Sequence, residues 1–324
     1  MAAAGLAPPR WTPDAQAVNC HNCGRLFDWA RRKHHCRCCG RIFCYACSKH
    51  QALLPRSFGT RDPQRVCDEC KTTLEPLQAD LINTFSNAVR ANEVANGAKR
   101  GLSPYLNKPL SFTLGAEVRK AAYSVFNFMR AGVVQDSSIP TELLTCAKGL
   151  AFITVLKAGV VWVGNFGTGL VQCHLLSTEW SAPSAIGTIG MGWGACIGAN
   201  ITDVVLVLNT AAAVEAFCGA GQMSLGAGIG MAAGPIGRSG AGGVTIGTDG
   251  DVAPVLSYSH SRGLFAGISL EGAVIAARPD VNRAFYGKDV TAKQLLSGEV
   301  DPPPAAAPLY EALAEVKFAS MAAP

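Results

Sequence analysis

Four Cys-x-x-Cys pairs crowd between Cys20 and Cys70: Cys20/Cys23, Cys36/Cys39, Cys44/Cys47 and Cys67/Cys70, with 12, 4 and 19 residues between successive pairs. One such pair puts two thiolates on a tight turn, and two pairs complete a tetrahedral zinc site. Eight ligands therefore predict two Zn2+ ions. The spacing leaves sequential, nested and interleaved pairing all open. The segment is about 50 residues long and poor in large apolar side chains, and a core rarely suffices alone at about that size. Metal has to supply the missing stability, at about 10 kcal/mol per structural zinc. The opening residues, MAAAGLAPPRW, lack a basic stretch followed by an apolar one. The expectation is a chain that is not exported, in which clustered cysteines hold metal rather than form disulfides.

Charge divides the chain in the same way. Residues 1–76 carry 12 Lys and Arg against 6 Asp and Glu, whereas residues 77–324 carry 16 against 17. The basic excess lies wholly in the cysteine-rich quarter, which should seek an anionic partner. Its densest part, Arg31-Arg32-Lys33-His34-His35-Cys36-Arg37, sets cations directly beside a zinc ligand, and Arg65 stands two residues before Cys67. Guanidinium forks match phosphate oxygens, lysine adds a point charge, and histidine donates more strongly once protonated. Upstream, Trp11 and Asp14 offer an aromatic ring and an acceptor for sugar hydroxyls. A nucleic-acid role would use the same cations, but there are few aromatic residues on which bases could stack.

These residues, Trp11-x-x-Asp14, Arg32-Lys33-His34-His35-Cys36-Arg37 and Arg65-Val66-Cys67 with the eight-cysteine spacing, resemble a FYVE zinc finger over residues 8–75. The resemblance implies interleaved sites, Cys20, Cys23, Cys44 and Cys47 on one metal and Cys36, Cys39, Cys67 and Cys70 on the other. It also implies binding of phosphatidylinositol 3-phosphate. Arg32, Lys33, His34, His35, Arg37 and Arg65 would hold phosphate, with Trp11 and Asp14 beside the inositol. Trp29 and Ala30 align with the loop that enters the membrane, while Phe27 is assigned to the core. Cys38 is not a family ligand and reads as a free thiol.

Beyond the finger (8–76), residues 77–110 read as a helix and a linker. Leu77, Leu81, Phe85 and Val89 recur at four-residue spacing over 77–92, a stripe suited to core packing. As a dimerising surface it would pair two fingers in a homodimer and raise avidity. Residues 93–110 read as a loop. Residues 113–130 form a second amphipathic pattern, and Glu142 starts a third helix. From Leu150 the chain changes character. Residues 151–156, 159–164 and 203–208 are β-rich runs, and glycine recurs throughout. The fold class expected is α+β in two domains: a small two-zinc cross-brace finger, then a glycine-rich antiparallel β-sandwich or barrel-like domain with flanking helices. Two uncharged runs, 181–202 and 216–237, are long enough to cross a bilayer as helices, but glycines and Pro183 or Pro235 break them.

No catalytic constellation emerges. Gly226-x-Gly228-x-Gly230 lacks the strand-then-helix context of a phosphate cradle. His174 and His260 read as ordinary histidines, so an enzyme is not expected. The blocks Lys148–Gly159, Trp180–Gly187, Thr202–Asn209, Gly234–Arg238, Tyr258-Ser259, Gly263–Gly272 and Phe285-Tyr286 resemble the SYLF family over residues 111–296. That resemblance implies phosphoinositide binding and, for fungal members, actin binding, with Arg119, Lys120 and Arg130 as lipid-binding candidates. FYVE with SYLF resembles plant-type endosomal and autophagic proteins. It implies a non-enzymatic adaptor in the cytoplasm, peripheral on endosomes, multivesicular bodies or autophagosomes. The partners implied are phosphatidylinositol 3-phosphate membranes, actin filaments, other phosphoinositides, and ESCRT or autophagy proteins, with no nucleic acid. In the tail, 299–324, Tyr310-x-x-Leu313 could dock on a ubiquitin-like protein, although packing of a terminal helix fits it better.

Overall fold

The computed structural model describes residues 6–90, 107–129, 141–175, 179–218, 223–230, 236–248 and 251–322. The chain forms two compact units, residues 1–90 with 283–289, and residues 91–282 with 290–324.

The first unit is built on two short antiparallel ribbons. Strand β1 (His34–His35) pairs with β2 (Ile42–Phe43), and β3 (His50–Ala52) pairs with β4 (Gln64–Val66). Its core is small and contains the cysteines themselves: Cys20, Cys36, Cys44, Cys67 and Cys70 pack with Phe43, Leu54, Val66 and Leu74, and Phe27 lies against them. Helix α1 (Asp68–Phe85) begins on the last cysteine pair. Its length departs from the sequence reading, which ends the finger at residue 76 and starts a new helix at 77. Pro76 lies inside one continuous helix. It removes one N–H, yet the helix is held from outside, where the Gln78 amide accepts from Leu53 N at 2.9 Å and donates to Leu53 O at 3.0 Å. Leu81 and Phe85 are buried with Leu53, so the stripe is used within the unit and is not an open dimerising face.

The second unit is one five-stranded antiparallel sheet in the order β5-β6-β9-β7-β8, with an added β9–β8 pairing. Three strands are very long: β5 (Gly149–Cys173), β6 (Ser184–Leu208) and β9 (Asp251–Ala277). The sequence reading cuts these into short runs at glycines. Here the glycines lie inside the strands and let them fold over. A Cβ on Gly169 would stand 1.9 Å from Phe152 O, and one on Gly167 would stand 2.4 Å from Thr154 O. The two halves of β5 therefore lie face to face with backbone almost in contact, about a corner at Val161, whose φ is 66°. Strand β9 folds as well. Its start pairs with β8 (Ile236–Thr248), its end pairs with β7 (Met223–Gly230), and β7 pairs with β8 at Ser224↔Gly247. A straight 22-residue stretch would span about 70 Å, so Val252 and Val274 can share these neighbours only if β9 turns back. The result is a single sheet closed on itself, the barrel-like member of the expected class.

Between the layers sit Ala151, Ile153, Val171, Cys173, Ile186, Leu206 and Leu208, with Phe217 of α4 (Ala211–Cys218). Helix α2 (Leu114–Met129) covers part of the outside. Lys120, one of the lipid-binding candidates, is buried there. Its Nζ lies 2.8 Å from Glu117 and donates to Lys108 O and Thr168 O, both at 3.1 Å. That reading is corrected: the cation serves the helix–sheet joint and does not reach solvent. Arg130 lies outside the described residues. The remaining α-helices described are α3 (Thr141–Cys146), α5 (Pro279–Tyr286), α6 (Ala292–Leu296) and the terminal α7 (Ala307–Ala322). Leu309 and Leu313 are buried, and Tyr310 Oη donates to Ser181 O at 3.1 Å. The tail is therefore largely a packed helix. Among the described residues no helix is long and apolar enough to cross a membrane.

Candidate metal centres and the cationic surface beside them

Two sulfur clusters form in the first unit. Cys20, Cys23, Cys44 and Cys47 make one and Cys36, Cys39, Cys67 and Cys70 the other, with the sulfurs of each cluster all within 4.8 Å of one another. Pairs one and three share a site, as do pairs two and four, which settles the pairing that spacing leaves open. The ribbons do this: His21 N donates to Ile42 O and Arg37 N to Arg65 O, drawing non-adjacent pairs together. Each first pair sits on a knuckle closed by glycine. Gly24 N bonds to Cys20 O at 2.9 Å and Gly40 N to Cys36 O at 2.8 Å, both glycines having positive φ. At Gly40 a side chain is excluded twice over, since a Cβ would also stand 2.6 Å from Arg10 O.

The clusters fit zinc. Tetrahedral coordination at about 2.3 Å puts sulfurs about 3.8 Å apart, and Cys23 and Cys44 are 3.9 Å apart. Backbone N–H groups already point at ligand sulfurs, Cys44 N to Cys20 Sγ and Cys67 N to Cys36 Sγ, both at 3.3 Å. Within the second cluster, thiol donation from Cys70 draws Cys36 down to about 4, while burial first of all pushes Cys39 up to about 12. Four neighbouring sulfurs cannot all be thiolates without a cation among them. Two Zn2+ ions supply that charge and crosslink the ribbons.

The cations gather on and around the ribbons. His35 Nε2 lies 2.8 Å from Thr12 O and 3.7 Å from the Asp14 carboxylate, and its ring stacks on Trp11 at 4.7 Å. Arg37 lies 5.1 Å from the Trp11 ring centre and donates to His35 O at 2.7 Å. Lys33 Nζ donates to Asp14 O at 2.7 Å. Arg65 donates to Ser48 O at 2.8 Å and lies 5.3 Å from the Tyr45 ring centre. His34, edge-on to Tyr45, is held below the usual histidine range by burial and by the Arg65 and Arg37 cations. Arg32 is exposed and has no protein partner among the described residues. Trp11, His35 and Arg37 are thus in direct contact, Arg37 N bonds to Arg65 O, His34 and Arg65 meet at Tyr45, and Lys33 is tied in through Asp14. Asp14 joins them chiefly through its backbone oxygen, and its carboxylate is largely solvent-facing. Tyr45 escapes sequence reasoning. Its position directly after the ligand Cys44 was the available signal.

Trp29 and Ala30 occupy a projecting turn. The Asp28 carboxylate caps it, accepting from Ala30 N at 2.8 Å and Arg31 N at 2.6 Å. These two amide bonds, the Arg31 one foremost, hold the Asp28 carboxyl below its ordinary range. Trp29 is 89% exposed, so it takes no part in the finger's core, whereas Phe27 is half-buried in it.

Residues 10–76 match the family described as FYVE zinc finger, and residues 189–316 match Ysc84, described as Las17-binding protein actin regulator. The chain joins a FYVE finger to a Ysc84 domain. It is 47% identical over 212 residues to an SH3 domain-containing protein of Schizosaccharomyces pombe, covering 64% of this chain and 49% of that one. It is 44% identical over 215 residues to LAS seventeen-binding protein 3 of Saccharomyces cerevisiae, covering 66% and 47%. It is 41% identical over 212 residues to the human SH3 domain-containing YSC84-like protein 1, covering 64% and 60%. The chain thus spans about half the length of its fungal relatives. The Ysc84 match ends at residue 316, within α7.

Proposed function

We propose that the protein is a non-enzymatic peripheral adaptor. Its FYVE finger binds phosphatidylinositol 3-phosphate on endosomal or autophagic membranes, and its Ysc84 domain links those membranes to actin filaments. The observation that carries this reading is the set of cations held by Trp11, Tyr45 and backbone carbonyls beside the second zinc cluster. Arg32, Lys33, His34, His35, Arg37 and Arg65 supply donors for a phosphate, and Asp14 supplies an acceptor for an inositol hydroxyl. Backbone bonds fix several of these side chains in advance, which lowers the entropy lost on binding. Trp29 and Ala30 enter the lipid at the projecting turn. Phosphate contacts, general attraction to anionic lipid and an inserted indole are each modest, and stable anchoring takes more than one such signal.

The actin link rests on the Ysc84 match and on a relative named for binding LAS seventeen. The test is co-flotation of actin filaments with vesicles carrying phosphatidylinositol 3-phosphate, with Arg32→Ala/Arg37→Ala as the control. Filaments that float with the intact chain and not with the control support the adaptor. If only the protein floats, the Ysc84 domain acts as a second lipid module or a docking platform for trafficking proteins, ESCRT or autophagy factors among them.

A further inference from the structure

The fold of β5 on itself gives each long strand an inner and an outer face, and near the corner the two are inverted. Gly159, Gly167 and Gly169 face the other half of their own strand. Lys157 and Asn165 lie on that inner face by alternation, and Asn200 joins them opposite Lys157. All three are buried, and Asn165 Oδ1 and Asn200 Oδ1 have no hydrogen-bond partner among the described residues.

The outer face is apolar. The ladder sets Trp162 opposite Trp193, Phe166 opposite Ile189, Gly164 opposite Met191 and Val160 opposite Ile197. Trp162 and Trp193 are 65% and 61% exposed, and Met191 is 68% exposed. Among the described residues, helix α2 meets this face at its near end, where Thr168 contacts Lys120. In the backbone register, Trp193 pairs with Leu270 and Ala199 with Leu264 of the next strand. Val161, a β-branched residue held at φ 66°, keeps the corner sharp.

We infer that this corner, from Val160 to Phe166 and from Ile189 to Ile197, is a membrane-inserting edge that dips into one leaflet of a lipid bilayer. The inference adds a second lipid contact to the adaptor and rests on that reading only for bringing the chain to a membrane. Three observations select lipid over a protein partner. No Asp, Glu, Lys or Arg occurs in residues 158–178 or 180–202, whereas protein interfaces surround an apolar centre with a polar rim. Polar groups inside and apolar groups outside is the pattern of a strand facing lipid, not water. Paired indoles suit the boundary between headgroups and acyl chains. The depth fits as well: five residues of strand reach about 16 Å, about half of a ~30 Å hydrocarbon core. The edge therefore enters without crossing.

The test is quenching of tryptophan emission by phosphatidylcholine vesicles with brominated acyl chains, prepared with and without phosphatidylinositol 3-phosphate. Two full-length chains are compared, Trp29→Ala and Trp29→Ala/Trp162→Phe/Trp193→Phe. Quenching in the first and its loss in the second is the expected result. Separately, Trp162→Ser/Trp193→Ser should weaken partition to the lipid-only vesicles about tenfold or more. Equal quenching in both chains while they are vesicle-bound overturns the edge and leaves the finger reading standing. Quenching that is indifferent to phosphatidylinositol 3-phosphate supports the edge and counts against the finger. Vesicles that quench neither chain overturn the inference, as does a dimer in sedimentation that Trp162→Ser/Trp193→Ser dissolves, which would assign the edge to a second copy.

Discussion

The indole of Trp11 lies against the imidazole of His35 at 4.7 Å and 29°, and Arg37 stands 5.1 Å from the same indole. One aromatic side chain thus orients two of the donors proposed for phosphate. Stacking and cation–π contacts are worth ~1 kcal/mol each. Trp11→Ala should weaken binding of soluble inositol 1,3-bisphosphate ten- to thirtyfold by calorimetry, and unchanged affinity would remove Trp11 from the site.

Trp29 should behave oppositely. It touches no cation among the described residues and projects from the Asp28-capped turn. Trp29→Ala is expected to weaken vesicle binding while sparing the soluble headgroup. Equal losses in the two assays would mean that the residue acts on the headgroup site.

Chelation should unfold the finger and leave the Ysc84 domain folded, because the finger's core is largely its own ligands and each zinc supplies about 10 kcal/mol. Limited proteolysis of the full chain with a strong chelator should cut within residues 20–70 and spare the long strands. Protection throughout would contradict two structural zinc sites.

Beneath α2, burial raises the Glu117 carboxyl and lowers the Lys120 ammonium, while each partner opposes the other's shift. Lys120→Met takes the ion-pair partner from a buried carboxylate, with Thr168 and the Arg278 charge remaining, and should cost about 3 kcal/mol at neutral pH. A carboxyl raised in the fold stabilises below its unfolded value and loses that contribution as pH rises through the folded one. The deficit should therefore shrink from pH 7 toward pH 5, and Glu117→Gln/Lys120→Met should recover much of it. Denaturant midpoints at both pH values check this, and a pH-independent deficit would refute it.

Two glycines five residues apart, Gly164 and Gly169, should differ sharply. A Cβ on Gly169 would meet Phe152 O at 1.9 Å, whereas one on Gly164 would meet only the Phe166 ring, at 3.5 Å. Gly169→Ala should destabilise by about 3 kcal/mol or more and Gly164→Ala by well under about 1 kcal/mol. Similar melting temperatures for the two would argue against the folded-over strand.

The sequence by itself determined the metal chemistry, the cationic run and the α+β class. Cys-x-x-Cys pairs, adjacent cations and glycine-interrupted β-runs are local, and their chemistry is carried by near neighbours in the chain. Tertiary structure decided which pairs share a metal, because β1–β2 and β3–β4 bring Cys36 to Cys67 across thirty residues. It decided that Lys120 is a buried counter-ion and not a surface cation, since only the packing of α2 on Thr168 shows where its ammonium goes. It also decided what the glycines do. In sequence they punctuate strands; in the fold Gly167 and Gly169 allow two backbones to meet, and that close approach turns Asn165 inward and leaves Trp162 and Trp193 outside. A side chain's face is set by what its strand folds against, and that partner lies beyond the reach of any local pattern.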